Sequence, residues 1–204
     1  MHRRGFWLPE HVPSLKSRSM IYAALSGLVA ALISLTTIFR ISISKYGFLS
    51  HESSDGVKQF LPVALMTCGW AALLYAFLFF QSSCTFYTYQ KYKKEAKKKD
   101  GDSKAPSFRQ VKYEGKGSKL NLCANRTVGN YLEQTPAFLL AIWMCAIFVD
   151  VETAILYGWL WILFRAIYPI VFYIGGLFLF VSTIPAYFCV WYMLWRVVAV
   201  AAAT

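Results

Sequence analysis

Residues 123–148 read CANRTVGNYLEQTPAFLLAIWMCAIF, and this stretch carries the strongest signal for the fold. Its second half is a nearly unbroken apolar run. Its first half places Arg126, Asn130 and Glu133 at positions i, i+4 and i+7. At about 100° per residue, these three side chains fall within about 40° on one helix face. Charged groups inside a membrane helix cost several kcal/mol unless they face a partner or a wet cavity, so this face is the predicted functional site.

The composition of the whole chain is that of a membrane protein. Of its 204 residues, 57% are apolar and 15% are charged, whereas about a quarter of a soluble domain is charged. Only six charged residues lie between positions 120 and 204, which is too few to cover a soluble domain with water-compatible surface. The same mixture excludes a disordered chain, a collagenous protein and a disulfide scaffold.

Five segments are apolar and long enough to cross the roughly 30 Å hydrocarbon core as helices. They are residues 20–39, 60–87, 120–149, 153–173 and 176–200. No segment shows the alternation of a barrel strand, so the predicted fold is an all-α, polytopic transmembrane helix bundle. Asp150 and Glu152 predict one tight turn, and Gly175-Gly176 predicts another.

Basic residues set the predicted orientation. Residues 1–19 carry four Lys/Arg, and the loop 91–119 carries eleven Lys/Arg against four Asp/Glu. Two predicted crossings separate these segments, so both are expected on the same side, facing the cytosol or an organelle interior. The Lys run in this loop is typical of contact with anionic membrane lipids. No nucleic-acid motif accompanies it, so nucleic acid is not an expected partner.

Metal and haem sites are not expected. All three histidines lie outside the predicted spans, at His2, His11 and His51. The five cysteines form no CxxC pair, and buried free cysteine usually behaves as a small apolar residue. The chain also lacks a Walker loop, a dinucleotide fingerprint and a serine elbow.

The chemistry of the third predicted span suits a zwitterionic peptide. Arg126 offers a guanidinium fork for a carboxylate, Asn130 both donates and accepts, and Glu133 can bind an ammonium group. These are the functions needed to hold a peptide such as glutathione. Pro136, one turn later, frees a backbone carbonyl and can bend the helix.

The pattern R-x3-N-x2-E-x2-P, ending at Pro136, resembles the signature of the MAPEG family, the membrane-associated proteins in eicosanoid and glutathione metabolism. Arg165 and Tyr168 in LFRAIYPIVFY resemble that family's Arg and Tyr of the next helix. The resemblance divides the chain into a basic segment 1–19, an extra transmembrane helix 20–40 and a loop 41–59. A four-helix MAPEG-like domain at 60–204 follows, with the basic loop 91–119 inside it.

The resemblance implies a homotrimer with glutathione as co-substrate, bound between subunits. Arg126, Asn130, Glu133 and Tyr168 would bind the peptide. The family's enzymes stabilise the thiolate with an Arg early in the last helix, but no Lys or Arg occurs from 173 to 187. Arg165 and Tyr173 are therefore the expected catalytic residues.

Two further substitutions and one addition leave two functions open. The tyrosine seven residues after the third-helix Arg is Phe172 here, with Tyr173 one place off, and the tyrosine after the motif Glu is Gln134. One hypothesis is a glutathione transferase or peroxidase acting on a lipophilic electrophile. The alternative is a non-catalytic accessory subunit of a larger membrane complex, which the added helix 20–40 favours. Either protein would reside in the endoplasmic reticulum or in a mitochondrial or plastid membrane.

Overall fold

The computed structural model describes residues 56, 58–98, 106–113 and 118–204. The predicted span 20–40 and the basic segment 1–19 lie outside the described residues. The regular elements of the described part are all helices. They are α1 (Leu61–Lys98, after a 3-10 turn at Lys58–Phe60), α2 (Phe108–Tyr113), α3 (Lys119–Phe148), α4 (Val151–Ala166), α5 (Tyr168–Ile174) and α6 (Leu179–Ala203, after a 3-10 turn at Gly176–Phe178).

Four of the predicted spans are confirmed. Helical stretches at Lys58–Lys98, Lys119–Phe148, Val151–Ile174 and Gly176–Ala203 are each long and apolar enough to cross a bilayer. Because backbone amides in lipid must be satisfied internally, helices are the expected spanning form for such segments. The chain is therefore an integral membrane protein.

Consecutive spans run antiparallel, and two contacts mark the ends of the bundle. At one end, Lys119 Nζ lies 4.9 Å from the ring centroid of Tyr173, which joins the start of α3 to the end of α5. At the other end, Arg196 Nη2 lies 3.8 Å from Asp150 Oδ2, which joins α6 to the start of α4. The basic start of α3 and the acidic turn after α3 thus lie at opposite ends of the bundle.

Both predicted turns are present. Asp150 caps α4, because its Oδ1 accepts from the backbone N–H of Thr153 at 2.6 Å. Gly175 and Gly176 have φ angles of 87° and 65°, a left-handed conformation that side chains disfavour and glycine tolerates. The two glycines therefore reverse the chain between α5 and α6 within a few residues.

Helix α1 extends well past the predicted end at residue 87. It continues to Lys98 and, with 38 residues, spans about 57 Å. Lys, Glu and Ala favour helices, and the exposed Lys91–Glu95 pair, at 3.9 Å, adds an i,i+4 contact. The first part of the basic segment is therefore helical and projects beyond the roughly 30 Å hydrocarbon core.

The third described span is broken, although the sequence pattern predicted one helix over 153–173. Helix α4 ends at Ala166 and α5 begins at Tyr168, with Pro169 in its first turn. Proline has no N–H to donate to the carbonyl four residues earlier, here that of Arg165, and its ring crowds that carbonyl. At the break, Ser182 Oγ donates to the Phe164 carbonyl at 2.6 Å and so fixes α6 against α4.

The core of the bundle is aromatic. Trp161 is fully buried and stacks on Phe138, with ring centroids 3.9 Å apart. Tyr131 packs edge-on against Phe77 and donates its hydroxyl to the Trp70 carbonyl at 2.9 Å. Aromatic packing thus holds α1, α3 and α4 together in the interior of the bundle.

Candidate functional site

The outer face of α3 carries two exposed charges of opposite sign. Arg126 and Glu133 are both exposed, and Glu133 is the fifteenth of the 30 residues of the helix. The ion pairs of the described residues are Lys91–Glu95 and Arg196–Asp150, so Arg126 and Glu133 do not neutralise each other. Asn130, between them, is half-buried.

Arg165 lies under this face, inside the bundle. Its side chain is 1% exposed, and Nη1 donates to Asn130 Oδ1 at 2.5 Å. Nη2 donates to Gln134 Oε1 in a short contact. The guanidinium therefore binds two amide side chains that lie one turn apart on α3, and this joins α4 to the polar face.

Two donors of this network have no partner within the described part of the chain. They are Arg165 Nε and Gln134 Nε2, both buried. The Arg165 guanidinium also forms no ion pair with a carboxylate among the described residues. A buried cation without a counter-charge is costly, and it creates a positive potential that water screens only weakly.

Aromatic side chains surround the Arg165 guanidinium. Its Cζ lies 5.4 Å from the Trp161 ring centroid and 5.8 Å from that of Tyr187. The phenols of Tyr168 and Tyr131 are within Coulombic range of the same group. Cation–π contacts of this kind offset part of the cost of burying the charge.

The structure brings some of the predicted site residues together and separates one. Asn130 and Arg165 are hydrogen-bonded. Tyr168, which is 5% exposed, is within Coulombic range of Arg165, Arg126 and Glu133. Tyr173 instead lies against Lys119, near the start of α3, and is 48% exposed.

Sequence reasoning missed Gln134 and Tyr187 as partners of Arg165. In the sequence pattern, Gln134 stands out only as a departure from the family's tyrosine. Its position four residues after Asn130 nevertheless places it on a neighbouring part of the same face. Tyr187 lies on α6, and no spacing in the sequence links it to Arg165. Only the packing of α6 against α4 shows this contact.

A second polar seam joins α1 to α3 near the start of α3. Gln81 Nε2 donates to Asn125 Oδ1 at 3.0 Å, and Thr85 Oγ1 donates to Asn121 Oδ1 at 2.9 Å. The Asn121 amide also donates to the Val111 carbonyl at 3.1 Å, which attaches α2 to the bundle. This seam ends one residue before Arg126 and holds that part of α3 in place.

Cys123 is part of the same framework. It is buried, and its Sγ donates to the Pro169 carbonyl at 3.2 Å, between α3 and α5. It thus acts as a packing residue. Within the described residues, no group of three or more His, Cys, Asp or Glu side chains could hold a metal ion.

A comparison with protein-family models identifies the family of this helix bundle. The MAPEG family model matches residues 67–199, more than half of the chain. The chain belongs to the MAPEG family. The match includes all four described spans in whole or in part and every predicted site residue, and it excludes the segment 20–40. No curated protein and no solved structure matches the chain.

Proposed function

We propose that this MAPEG protein binds glutathione on the polar face of α3 and uses it to conjugate or reduce a lipophilic electrophile. The observation that carries the proposal is the pair of exposed, mutually unpaired charges at Arg126 and Glu133 on a membrane-spanning helix. Each would cost several kcal/mol against lipid. A ligand with a carboxylate and an ammonium group removes both costs at once.

The spacing of the two charges suits an amino-acid head group. Seven residues of helix separate Arg126 from Glu133, a rise of about 10.5 Å. Both side chains extend several ångströms from the backbone, so the ammonium and carboxylate groups of one small peptide are within reach of the pair. Asn130 lies between them, and its amide N–H groups can donate to the same ligand.

The site is exposed on the single chain, and we propose that a second copy closes it. A trimer would place the α3 face of one chain against its neighbour, as the family resemblance implies. The bound peptide would then be enclosed by protein, and its thiol would face the acyl chains where a lipophilic electrophile dissolves. The membrane would be that of the endoplasmic reticulum or of an organelle.

Arg165 would act on the thiol through its electric field. The guanidinium is buried and hydrogen-bonded to Asn130, so its geometry supports a charge held behind the binding face. A fixed positive charge in a low-dielectric site stabilises a thiolate more strongly than it would in water. The thiolate is the nucleophilic form of the cysteine side chain.

The same observation favours one second candidate function. The bonds of Arg165 to Asn130 and Gln134 would also serve a non-catalytic accessory subunit, because hydrogen bonds between buried side chains fix the register of α3 against α4. In this case Arg126 and Glu133 would pair with charges of another subunit.

Glutathione binding to the purified full-length chain in nanodiscs, measured by calorimetry, tests the proposal. We expect saturable binding at millimolar glutathione or below, and we expect Arg126→Leu and Glu133→Gln each to weaken it by about tenfold to a hundredfold. The matched control is Arg109→Leu, an exposed cation on α2 outside the site. No heat of binding to the wild-type chain would leave the accessory-subunit function.

A further inference from the structure

Three tyrosine phenols surround the buried Arg165 charge, and they differ in access. Tyr131 is 1% exposed, Tyr168 is 5% exposed and Tyr187 is 45% exposed. The Tyr187 ring centroid lies 5.8 Å from Arg165 Cζ, within the range of a cation–π contact. Tyr187 is thus the one phenol of this group that both contacts Arg165 and can reach a ligand outside the bundle.

The side chains of Tyr131 and Tyr168 are buried in the bundle. The Tyr131 hydroxyl donates to the Trp70 carbonyl at 2.9 Å, and its ring packs among Phe77, Trp70 and Trp161. Tyr168 is enclosed in the first turn of α5, beside Phe172. Both rings are thus buried in the single chain, whereas Tyr187 is 45% exposed.

The position of Tyr187 follows from the packing of α6. The bond from Ser182 Oγ to the Phe164 carbonyl fixes the register of α6 against α4 at the α4–α5 break. Five residues later, about 7.5 Å further along the helix, the ring of Tyr187 lies 5.8 Å from Arg165 Cζ. Arg196 is the only Lys or Arg in α6, and it lies nine residues beyond Tyr187 and pairs with Asp150. Among the polar side chains of α6, Tyr187 is the one whose ring lies against the Arg165 guanidinium, whereas the Ser182 hydroxyl bonds the Phe164 carbonyl.

We propose that Tyr187 is a catalytic residue, whose hydroxyl donates a hydrogen bond to the glutathione sulfur while Arg165 holds a positive charge behind its ring. This inference rests on the proposed glutathione chemistry and names the group that stabilises the thiolate. The adjacent cation makes the phenol a better donor, and a hydrogen bond to an ion is about twice as strong as one between neutral groups.

The proposed conjugation needs no reactant besides glutathione and the electrophile. The thiol proton passes to water when the thiolate forms, and Tyr187 keeps its own proton throughout. The sulfur lone pair then forms a bond to an electrophilic carbon. With chlorodinitrobenzene as the probe, the carbon–chlorine bond breaks and chloride leaves with its electron pair.

The test uses the full-length chain in nanodiscs and the variants Tyr187→Phe and Tyr75→Phe. Tyr75 is the matched control, since it is an exposed tyrosine on α1, 71% exposed, outside the proposed site. Three quantities are measured for each protein: glutathione affinity, the ultraviolet absorbance of the bound thiolate against pH, and the pH profile of chlorodinitrobenzene conjugation.

For Tyr187→Phe, we expect glutathione affinity within about threefold of wild type and a thiolate profile shifted upward by about one to two pH units. Conjugation at neutral pH should fall by about tenfold to a hundredfold and recover as the pH rises. Tyr75→Phe should match wild type in all three. A purely structural role for Tyr187 would lower affinity and would leave the pH profile of the remaining activity in place.

Several outcomes would overturn the inference. An unchanged thiolate profile in Tyr187→Phe, or a shifted profile in Tyr173→Phe alone, would remove Tyr187 from the reaction while the proposed function stands. Binding of glutathione by the wild-type chain without a thiolate signal would also overturn it. Absence of glutathione binding by the wild-type chain would contradict the proposed function itself.

Discussion

At the scale of the single residue, Arg165 is the one charged side chain that is buried within the described part of the chain. It is 1% exposed, it has no carboxylate partner in the described part, and it relies on the amide oxygens of Asn130 and Gln134. A buried cation is tolerated when its donors are bonded, and each bond to a charged group contributes about 1.5–3 kcal/mol. The network is therefore strongly coupled.

Substitution of either side of this network should destabilise the protein. We expect Arg165→Met and Gln134→Leu each to lower the free energy of unfolding by about 1–3 kcal/mol, because each leaves a buried polar group without its partner. The double variant should lose less than the sum, since the second change removes a group whose partner is already lost. Denaturant unfolding in mixed micelles measures this, and strictly additive losses would contradict the coupling.

At the scale of the element, a glycine sets the approach of α4 to its neighbours. A Cβ at Gly158 would collide with the side chain of Ile142 and would lie 3.0 Å from Met66 Sδ. By contrast, a Cβ at Gly129 would meet nothing within 4 Å. Close contact among α1, α3 and α4 therefore depends on residue 158.

Alanine substitutions at these two glycines should differ in their effect on the free energy of unfolding. We expect Gly158→Ala to lower the free energy of unfolding by about 1–3 kcal/mol, because added volume in a packed core forces a shift. Gly129→Ala should leave it unchanged or raise it by up to about 1 kcal/mol, since alanine favours helix. In a Gly158→Ala background, Ile142→Val removes the colliding methyl group and should recover part of the loss in thermal unfolding.

The seam between α1 and α3 also acts at this scale, because Asn121 serves two elements. It accepts from Thr85 and donates to the Val111 carbonyl, and so it joins α2 to the bundle. Among the described residues, Asn125 bonds to Gln81.

Loss of Asn121 should therefore release α2. We expect Asn121→Ala to lower the free energy of unfolding by about 1–3 kcal/mol and to speed hydrogen exchange in Phe108–Tyr113. Asn125→Ala is the matched control and should leave exchange in that helix unchanged. Equal exchange in both variants would show that Phe108 and Val111 hold α2 without Asn121.

At the scale of the whole molecule, the polar face of α3 is incomplete in a single chain. Its charges are exposed at the depth of a membrane span, while the interior around Trp161 and Phe138 is closed. Lipid would not cover charged groups without cost. Another protein surface or a ligand between copies is the physically consistent cover.

We expect the protein purified in mild detergent to contain three copies. Light scattering with detergent correction measures the mass, and glutathione should raise the thermal stability of the assembly. At a hundredfold excess over Kd, the expected stabilisation is about 2.7 kcal/mol. A stable free monomer would contradict the assembly, and migration only with a much larger complex would favour the accessory-subunit function.

The sequence by itself determined that this is a membrane protein with the four described spans. It also determined that these spans alternate in direction and that α3 carries a polar face. These features depend on composition and on periodicity within one helix, which are local properties of the chain. It also identified Arg126, Asn130 and Glu133 as a set, because spacing along one helix fixes their shared face.

Only the tertiary structure decided what lies behind that face. The pairing of Arg165 with Asn130 and Gln134, and its contact with Tyr187, join residues of three helices. The position of Tyr173 beside Lys119 likewise follows from how α5 packs beside α3. Contacts between helices depend on the rotation and register of each helix, which no local pattern in the sequence specifies.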